Sequence, residues 1–225
     1  DFVARLHGMF AFALHDAVRN RTVLARDHFG IKPLFYATAD GGLIFASEIK
    51  AVLAGLDRAP AMDPAALQEY LTFRYVAWSR TFFEGIHRLP PGHVAVWEGG
   101  RLGLQRYWSV TEQKDSGHVS AADAVDALEP LLDRAVQSQL MSDVPLGTFC
   151  SGGVDSGLVT AYAARHATGR LHSFSVGFDD PAWDETPLAR NTAARFGTQH
   201  HVLVARGEGF AETLSRLIWY HDEPL

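Results

Sequence analysis

The 225-residue sequence predicts an α+β portion built on antiparallel sheet, followed by an α/β portion built on parallel sheet. Three observations carry this. Residues 9–46 hold short runs rich in Phe, Val, Ile and Tyr, parted by turn signals at Asn20-Arg21, Gly30 and Asp40-Gly41-Gly42, the pattern of an antiparallel meander. From residue 146 onward, strand-like and helix-like segments alternate, as βαβ units require. The run Ser151-Gly152-Gly153-Val154-Asp155-Ser156 falls between the first such strand and the first such helix.

Taken in order, residues 9–15, 22–26, 34–38 and 43–46 read as strands and 48–54 as a short helix. Asp63 and Pro64 open a second helix as N-cap and first helical residue, running to about residue 74. Residues 93–98 and 102–108 form a hairpin across Gly99-Gly100. The polar stretch 111–119 is the expected linker, so the division falls at 1–112 and 113–225. Ser120, with Asp123 three residues on, caps a long helix whose apolar residues Val125, Leu128, Leu131, Leu132, Ala135, Val136 and Leu140 recur at helical spacing. Strands follow at 146–150, 171–178 and 200–204. Helices follow at 156–165, at 185–196 (closed by Gly197) and at 210–220.

Composition narrows the class. Hydrophobic residues make up 47% and charged residues 20%, ordinary globular values that exclude collagen-like, coiled-coil and disordered chains. The net charge of -6 disfavours nucleic acid as a partner. That charge is uneven: residues 1–112 sum to +1 and 113–225 to -7, as two portions with different surfaces would have. No apolar run reaches the roughly 18–20 residues that cross a membrane, so a membrane is not an expected partner. The single cysteine, Cys150, allows no internal disulfide and fits a reducing, cytoplasmic compartment.

The chemistry sits in the 151–156 run. Two glycines let backbone approach a ligand closely, successive amides in such a turn make an anion-binding nest, and the helix that follows adds its positive end. Ser151 and Ser156 can offer hydroxyls to the same anion. A carboxylate beside a phosphate repels it unless a cation intervenes, so Asp155 reads as a ligand for Mg²⁺. The same letters also spell a capped, glycine-rich βα turn that binds nothing.

This run resembles the pyrophosphate-binding loop of ATP pyrophosphatases (PP-loop enzymes), whose signature is S-G-G-x-D-S. Further stretches resemble a class II, Ntn-type glutaminase domain. These are Leu6-His7-Gly8-Met9-Phe10-Ala11-Phe12-Ala13, Arg26-Asp27-His28-Phe29-Gly30-Ile31-Lys32-Pro33-Leu34-Phe35-Tyr36, Phe45-Ala46-Ser47-Glu48-Ile49-Lys50-Ala51, and residues 83–93. The two in tandem resemble the glutamine-hydrolysing asparagine synthetase family. The resemblance implies glutamine, aspartate and ATP as small-molecule substrates, Mg²⁺ as cofactor, a β-aspartyl-AMP intermediate, and asparagine, AMP and pyrophosphate as products. It also admits a homodimer.

Carried over residue by residue, the resemblance implies ATP and pyrophosphate contacts at Cys150, Ser151, Gly152, Gly153, Asp155 and Ser156. It implies adenine contacts at Ser175 and Val176, and an ammonia path past Met9, Ile31 and Cys150. The last three also suit ordinary core positions. Two departures stand out: Cys150 replaces the usual Leu before the loop, and Gly157 replaces a second Ser after it. The family's glutaminase nucleophile is an N-terminal Cys, and residue 1 here is Asp, so no glutaminase catalytic residue can be assigned and an internal fragment of a longer enzyme is expected. Two alternatives stay open: an acceptor carboxylate other than aspartate, and a nucleotide-binding fragment without activity.

The remaining polar clusters read as structural. His200-His201 lie adjacent on a strand and should face opposite ways. Asp179-Asp180 and Asp184-Glu185 suit helix capping. Arg26-Asp27 and Ser47-Glu48 suit buried ion pairs or caps. Asp222-Glu223 resembles an acidic stretch near the family's acceptor site and carries no assigned role.

Overall fold

In a computed structural model, residues 2–110, 119–205 and 209–224 are described. The elements in chain order are β1 (Ala11–Asp16), β2 (Arg21–Arg26), β3 (Phe35–Ala39), β4 (Gly42–Ala46), α1 (Ile49–Ala54), α2 (Pro64–Phe73), β5 (Ile86–Arg88), β6 (His93–Glu98), β7 (Arg101–Arg106), α3 (Ala121–Ser138), β8 (Gly147–Phe149), α4 (Val154–His166), β9 (His172–Phe178), α5 (Thr186–Phe196), β10 (Gln199–Ala205) and α6 (Phe210–His221). They form two compact units: Asp1–Glu112 together with Ala211–Leu225, and Gln113–Phe210. The expected linker, but for Val119, lies outside the described residues.

The first unit holds two antiparallel sheets, ordered β1-β2-β6-β7 and β4-β3-β5. The single meander expected over residues 9–46 is therefore corrected: its first two strands join one sheet and its last two the other. The side-chain alternation of β3 explains why. Tyr36 turns to one side and packs with Leu24 of β2, Ala95 of β6, Leu34 and Leu89. Phe35 and Ala37 turn to the other and pack with Ile49 and Val52 of α1 and with Ile86 of β5. A strand apolar on both faces lies in a middle layer, between the other sheet and a helix. Strand β5 is too short, at three residues, to show a period in the sequence.

Local signals set the boundaries of this unit. Asp63 accepts hydrogen bonds from the Ala65 and Ala66 amides at 2.9 and 3.3 Å, and Arg74 ends α2 in the left-handed region at φ 64°. Asp40-Gly41 and Gly99-Gly100, all with positive φ, make the two-residue turns of the β3–β4 and β6–β7 hairpins.

Arg26 and Asp27 are buried, at 7% and 1% exposure, yet they do not pair with each other. Both are satisfied by backbone. The Arg26 guanidinium donates to the carbonyls of Lys32, Leu89 and Gly30 at 2.8, 2.7 and 2.6 Å. The Asp27 carboxylate accepts from the amides of Phe29, Ile31 and Lys32 at 3.1, 2.9 and 3.0 Å. Together they clamp loop 27–33 from both sides. Gly30 has φ +66°, and a Cβ there would lie 2.9 Å from the Arg26 guanidinium carbon. Met9 and Ile31 are 47% and 57% exposed, so neither is a core residue of this unit. Ile31 belongs to the clamped loop, whose fixed backbone turns its side chain outward.

In the second unit, parallel strands run in the order β10-β9-β8. Ser120 accepts from the Asp123 amide at 3.2 Å and donates to its carboxylate at 2.6 Å, the cap expected for α3. Helix α3 continues through Pro130, which removes one i→i−4 bond. One face of β9, carrying Ser173, Ser175 and Gly177, is buried against helices. Its other face carries His172, Phe174, Val176 and Phe178.

Burial raises the Asp27 carboxyl, but the amides of Lys32, Ile31 and Phe29 outweigh it and hold the pKa below its ordinary value of 3.8. A depressed folded-state value contributes stability above the unfolded value and loses it as pH falls through the folded one. Asp27→Asn removes one acceptor and the charge. It should cost about 1–3 kcal/mol in urea unfolding at pH 7, and the gap from wild type should narrow as pH falls below about 4.

Candidate phosphate-binding site

Strand β8 leads through Cys150, which is 1% exposed, into the loop at 151–153 and then α4. Gly152 has φ +91°. A Cβ there would lie 2.5 Å from the Leu188 Cβ and 2.8 Å from the Ala189 amide nitrogen, because α5 presses against the loop. Only glycine fits both the angle and the space. Gly153, with φ -70° and ψ 165°, takes the N-cap position of α4 and offers no side-chain cap. The first-turn amides of such a helix have no intrahelical partner and carry its positive end.

The two serines brace this turn. The Ser151 and Ser156 hydroxyls lie 3.1 Å apart, and the Ser156 hydroxyl accepts from the Ser151 amide and donates to the Gly153 carbonyl, each at 3.2 Å. The Gly153 amide donates to the Ser151 hydroxyl at 3.3 Å. Asp155 sits in the first turn of α4 with its side chain exposed. A single free carboxylate beside a nest of amides fits Mg²⁺, which takes its remaining ligands from phosphate oxygens and water. Among the described residues no group of three or more His, Cys, Asp or Glu is placed to hold a metal without such help.

Cys150, Ser151, Ser175 and Val176 come together in one cleft of about 290 Å³ at the carboxyl ends of β8 and β9, where parallel sheets place ligands. Its walls add Phe149, Phe174, Phe178 and Trp183. Trp183 and Phe149 escaped the sequence reading; the signal was a lone aromatic in the acidic loop after β9 and another one residue before Cys150. Ser175 and Val176 leave β9 on opposite faces. The Ser175 hydroxyl donates to the Cys150 carbonyl and so ties the second strand to the residue before the loop, while Val176 is 50% exposed on the open face. A second cleft, of about 300 Å³ and lined by Leu140, His166, Arg170 and His172, lies at the amino end of β9 and holds none of the motif residues.

The pair at 200–201 divides across the sheet. His200 meets the Ser173 hydroxyl at 2.9 Å on the helix side, whereas His201 stacks on Phe174 at 4.9 Å on the open side. Burial first, then Arg190 and His201, lowers the His200 pKa below its ordinary value. Asp184 accepts from the Thr186 amide and hydroxyl at 3.1 and 3.0 Å and so starts α5.

The profile of a glutamine amidotransferase domain matches residues 1–108, and that of asparagine synthase matches residues 127–225. The chain belongs to the glutamine-hydrolysing asparagine synthetase family. It is 34% identical over 242 residues to asparagine synthetase [glutamine-hydrolyzing] 3 of Bacillus subtilis, covering 100% of this chain and 39% of that protein. Against asparagine synthetase [glutamine-hydrolyzing] 1 of the same organism it is 32% identical over 233 residues, covering 100% and 35%. Against amidase chyE of Penicillium rubens it is 34% identical over 245 residues, covering 100% and 35%. The chain thus spans between a third and two fifths of the length of these relatives. Among solved structures, the glutamine phosphoribosylpyrophosphate amidotransferase of Bacillus subtilis overlays with a TM-score of 0.31 at 12% identity, covering 94% of this chain and 38% of that one, too slight a likeness to add to the family assignment. Among the described residues no helix is long and apolar enough to cross a membrane.

Within this asparagine synthetase-family chain, the two loop glycines should differ sharply. Gly152→Ala meets both the strained angle and the Leu188 contact and should lose about 2–4 kcal/mol in urea unfolding. Gly153→Ala, whose nearest new contact would be the Ser151 hydroxyl at 3.4 Å, should stay within about 0.5 kcal/mol.

Proposed function

We propose that the chain contributes to ATP-dependent amidation of a carboxylate with ammonia drawn from glutamine, the carboxylate being that of aspartate. Residues 1–112 would be a portion of the glutamine amidotransferase domain and 113–225 a portion of a PP-loop synthetase domain. The observation that carries this reading is the 151–156 turn. It is a glycine-forced nest at a helix N-terminus, opening on a cleft at the strand ends, in a chain matched in tandem by both family profiles. A single, buried, unpaired cysteine suits a cytoplasmic setting.

In this reading the amides of the first turn of α4 hold the β and γ phosphates of ATP, on a loop that the serine hydroxyls keep in shape. Asp155 holds Mg²⁺, which when bound offsets charge on the leaving pyrophosphate. The aspartate β-carboxylate attacks the α-phosphorus, forming an acyl-adenylate and expelling pyrophosphate. Ammonia then attacks the acyl carbon, and AMP leaves with the bonding electron pair. Ser151 and Ser156 keep the nest in shape, and the Ser175–Cys150 bond fixes the strand end beneath the nucleoside. Val176, Phe149 and Trp183 offer the apolar surface that a base requires. Met9 and Ile31, exposed on the first unit rather than packed within it, are assigned to the ammonia path, whose walls must be apolar because polar groups would bind or protonate ammonia in transit.

A different acceptor carboxylate is the second reading. A relative named amidase matches this chain at 34% identity, the same identity as one named asparagine synthetase.

Asp155→Asn in the complete gene product should lower aspartate-dependent pyrophosphate release at least about a hundredfold, with folding unchanged by circular dichroism. Retained release would remove Asp155 from the site. Release that demands a different carboxylic acid would replace the first reading by the second.

A further inference from the structure

The segment at 219–223 lies within the asparagine synthase match, yet it packs into the compact unit that residues 1–112 build. Its attachment is specific. The Asp222 carboxylate accepts from the Ile49 amide at 2.7 Å through one oxygen and from the Lys50 ammonium at 3.1 Å through the other. Lys50 also donates to the Trp219 carbonyl at 3.1 Å, lies 5.5 Å from the Trp219 ring centre, and meets Glu48 at 2.9 Å. Glu223 pairs with Arg88 of β5, whose guanidinium also donates to the Val76 carbonyl at 3.2 Å.

Two features indicate that this contact is built for its carboxylate. Asp222 follows α6 with φ 60°, the left-handed position where glycine is the unstrained choice. An aspartate there accepts strain in exchange for a carboxylate. At the other end, Ile49 is 1% exposed and begins α1, while its N-cap residue Glu48 makes no side-chain cap. The buried Ile49 amide thus takes its acceptor from a residue 173 positions away. Seating of the 219–223 segment and completion of α1 are one event, and α1 packs through Ile49 and Val52 on Phe35 and Ala37 of β3.

Hydrogen bonds that the Lys50 ammonium donates to Glu48, then to Asp222, raise its pKa against partial desolvation. At Glu223, burial raises the carboxyl more than Arg88 lowers it.

We propose that Lys50, with the Ile49 amide, is a positioning latch that holds the 219–223 segment on the glutamine amidotransferase portion and couples glutamine hydrolysis to use of the ammonia. The coupling rests on the amidation reading above; the docking does not. In the complete gene product, Lys50→Met should leave ammonium-driven pyrophosphate release within about twofold of wild type. It should lower glutamine-driven release, and raise glutamate formed per pyrophosphate, by about fivefold. Lys50→Arg, which keeps the cation, should restore both. Hydrogen exchange at the Ile49 amide should quicken about tenfold in Asp222→Ala, from loss of the acceptor. An unchanged ratio in Lys50→Met, or an equal fall in both rates, overturns the coupling. Unchanged Ile49 exchange overturns the docking. A wild-type enzyme that releases no pyrophosphate with glutamine or with ammonium refutes the amidation reading instead, and Ile49 exchange then still decides the docking alone.

Discussion

Helix α5 lies so close to the loop after β8 that residue 152 can carry no side chain at all. The Leu188 Cβ and the Ala189 amide occupy the space where a Cβ would go, and the backbone there is left-handed. This contact sets the path of the chain between β8 and α4. The direction in which the first-turn amides of α4 point follows from that path, as do the bracing of Ser151 against Ser156 and the placing of Asp155 on the first turn. The Ser175–Cys150 bond anchors the other side of the same turn to β9. A nest held this way needs little reorganisation to receive an anion, which is the property that makes preorganised dipoles effective in phosphoryl and adenylyl chemistry.

The first unit solves a different problem by related means. Its loop 27–33 is irregular backbone folded over the buried Arg26 and Asp27 side chains, and such backbone must find partners. Arg26 supplies three donors to carbonyls and Asp27 two oxygens to amides. The charges are spent on main chain rather than on each other, so neither is left as an unpaired buried ion. The same logic recurs where Asp222 completes α1. In each case a carboxylate takes the place that secondary structure leaves empty.

Much of this was legible in the sequence because the signals were local. The Asp63 and Ser120 caps, the Gly99-Gly100 hairpin and the strand–loop–helix context of the motif depend on residues a few positions apart. What escaped reading was non-local. The split of residues 9–46 between two sheets depends on β2 pairing with β6, and on β5, three residues long, pairing with β3. Arg26 and Asp27 looked like an ion pair or a cap because adjacency suggests pairing, whereas their partners are backbone groups that the sequence does not display. Ser175 and Val176, adjacent in the motif carried over from the family, separate onto two faces by the pleat of β9. Asp222 left one trace, an acidic residue just past a helix where glycine is usual.

The central claim is that the phosphate nest and the glutamine amidotransferase portion serve one reaction. The most direct measurement uses the complete gene product with ATP, aspartate, and glutamine carrying heavy nitrogen in its amide. The account predicts that AMP and pyrophosphate form in equal amounts and that the heavy nitrogen appears in the new carboxamide. Formation of ADP and phosphate, or heavy nitrogen found only as free ammonium beside an unlabelled product, would contradict it.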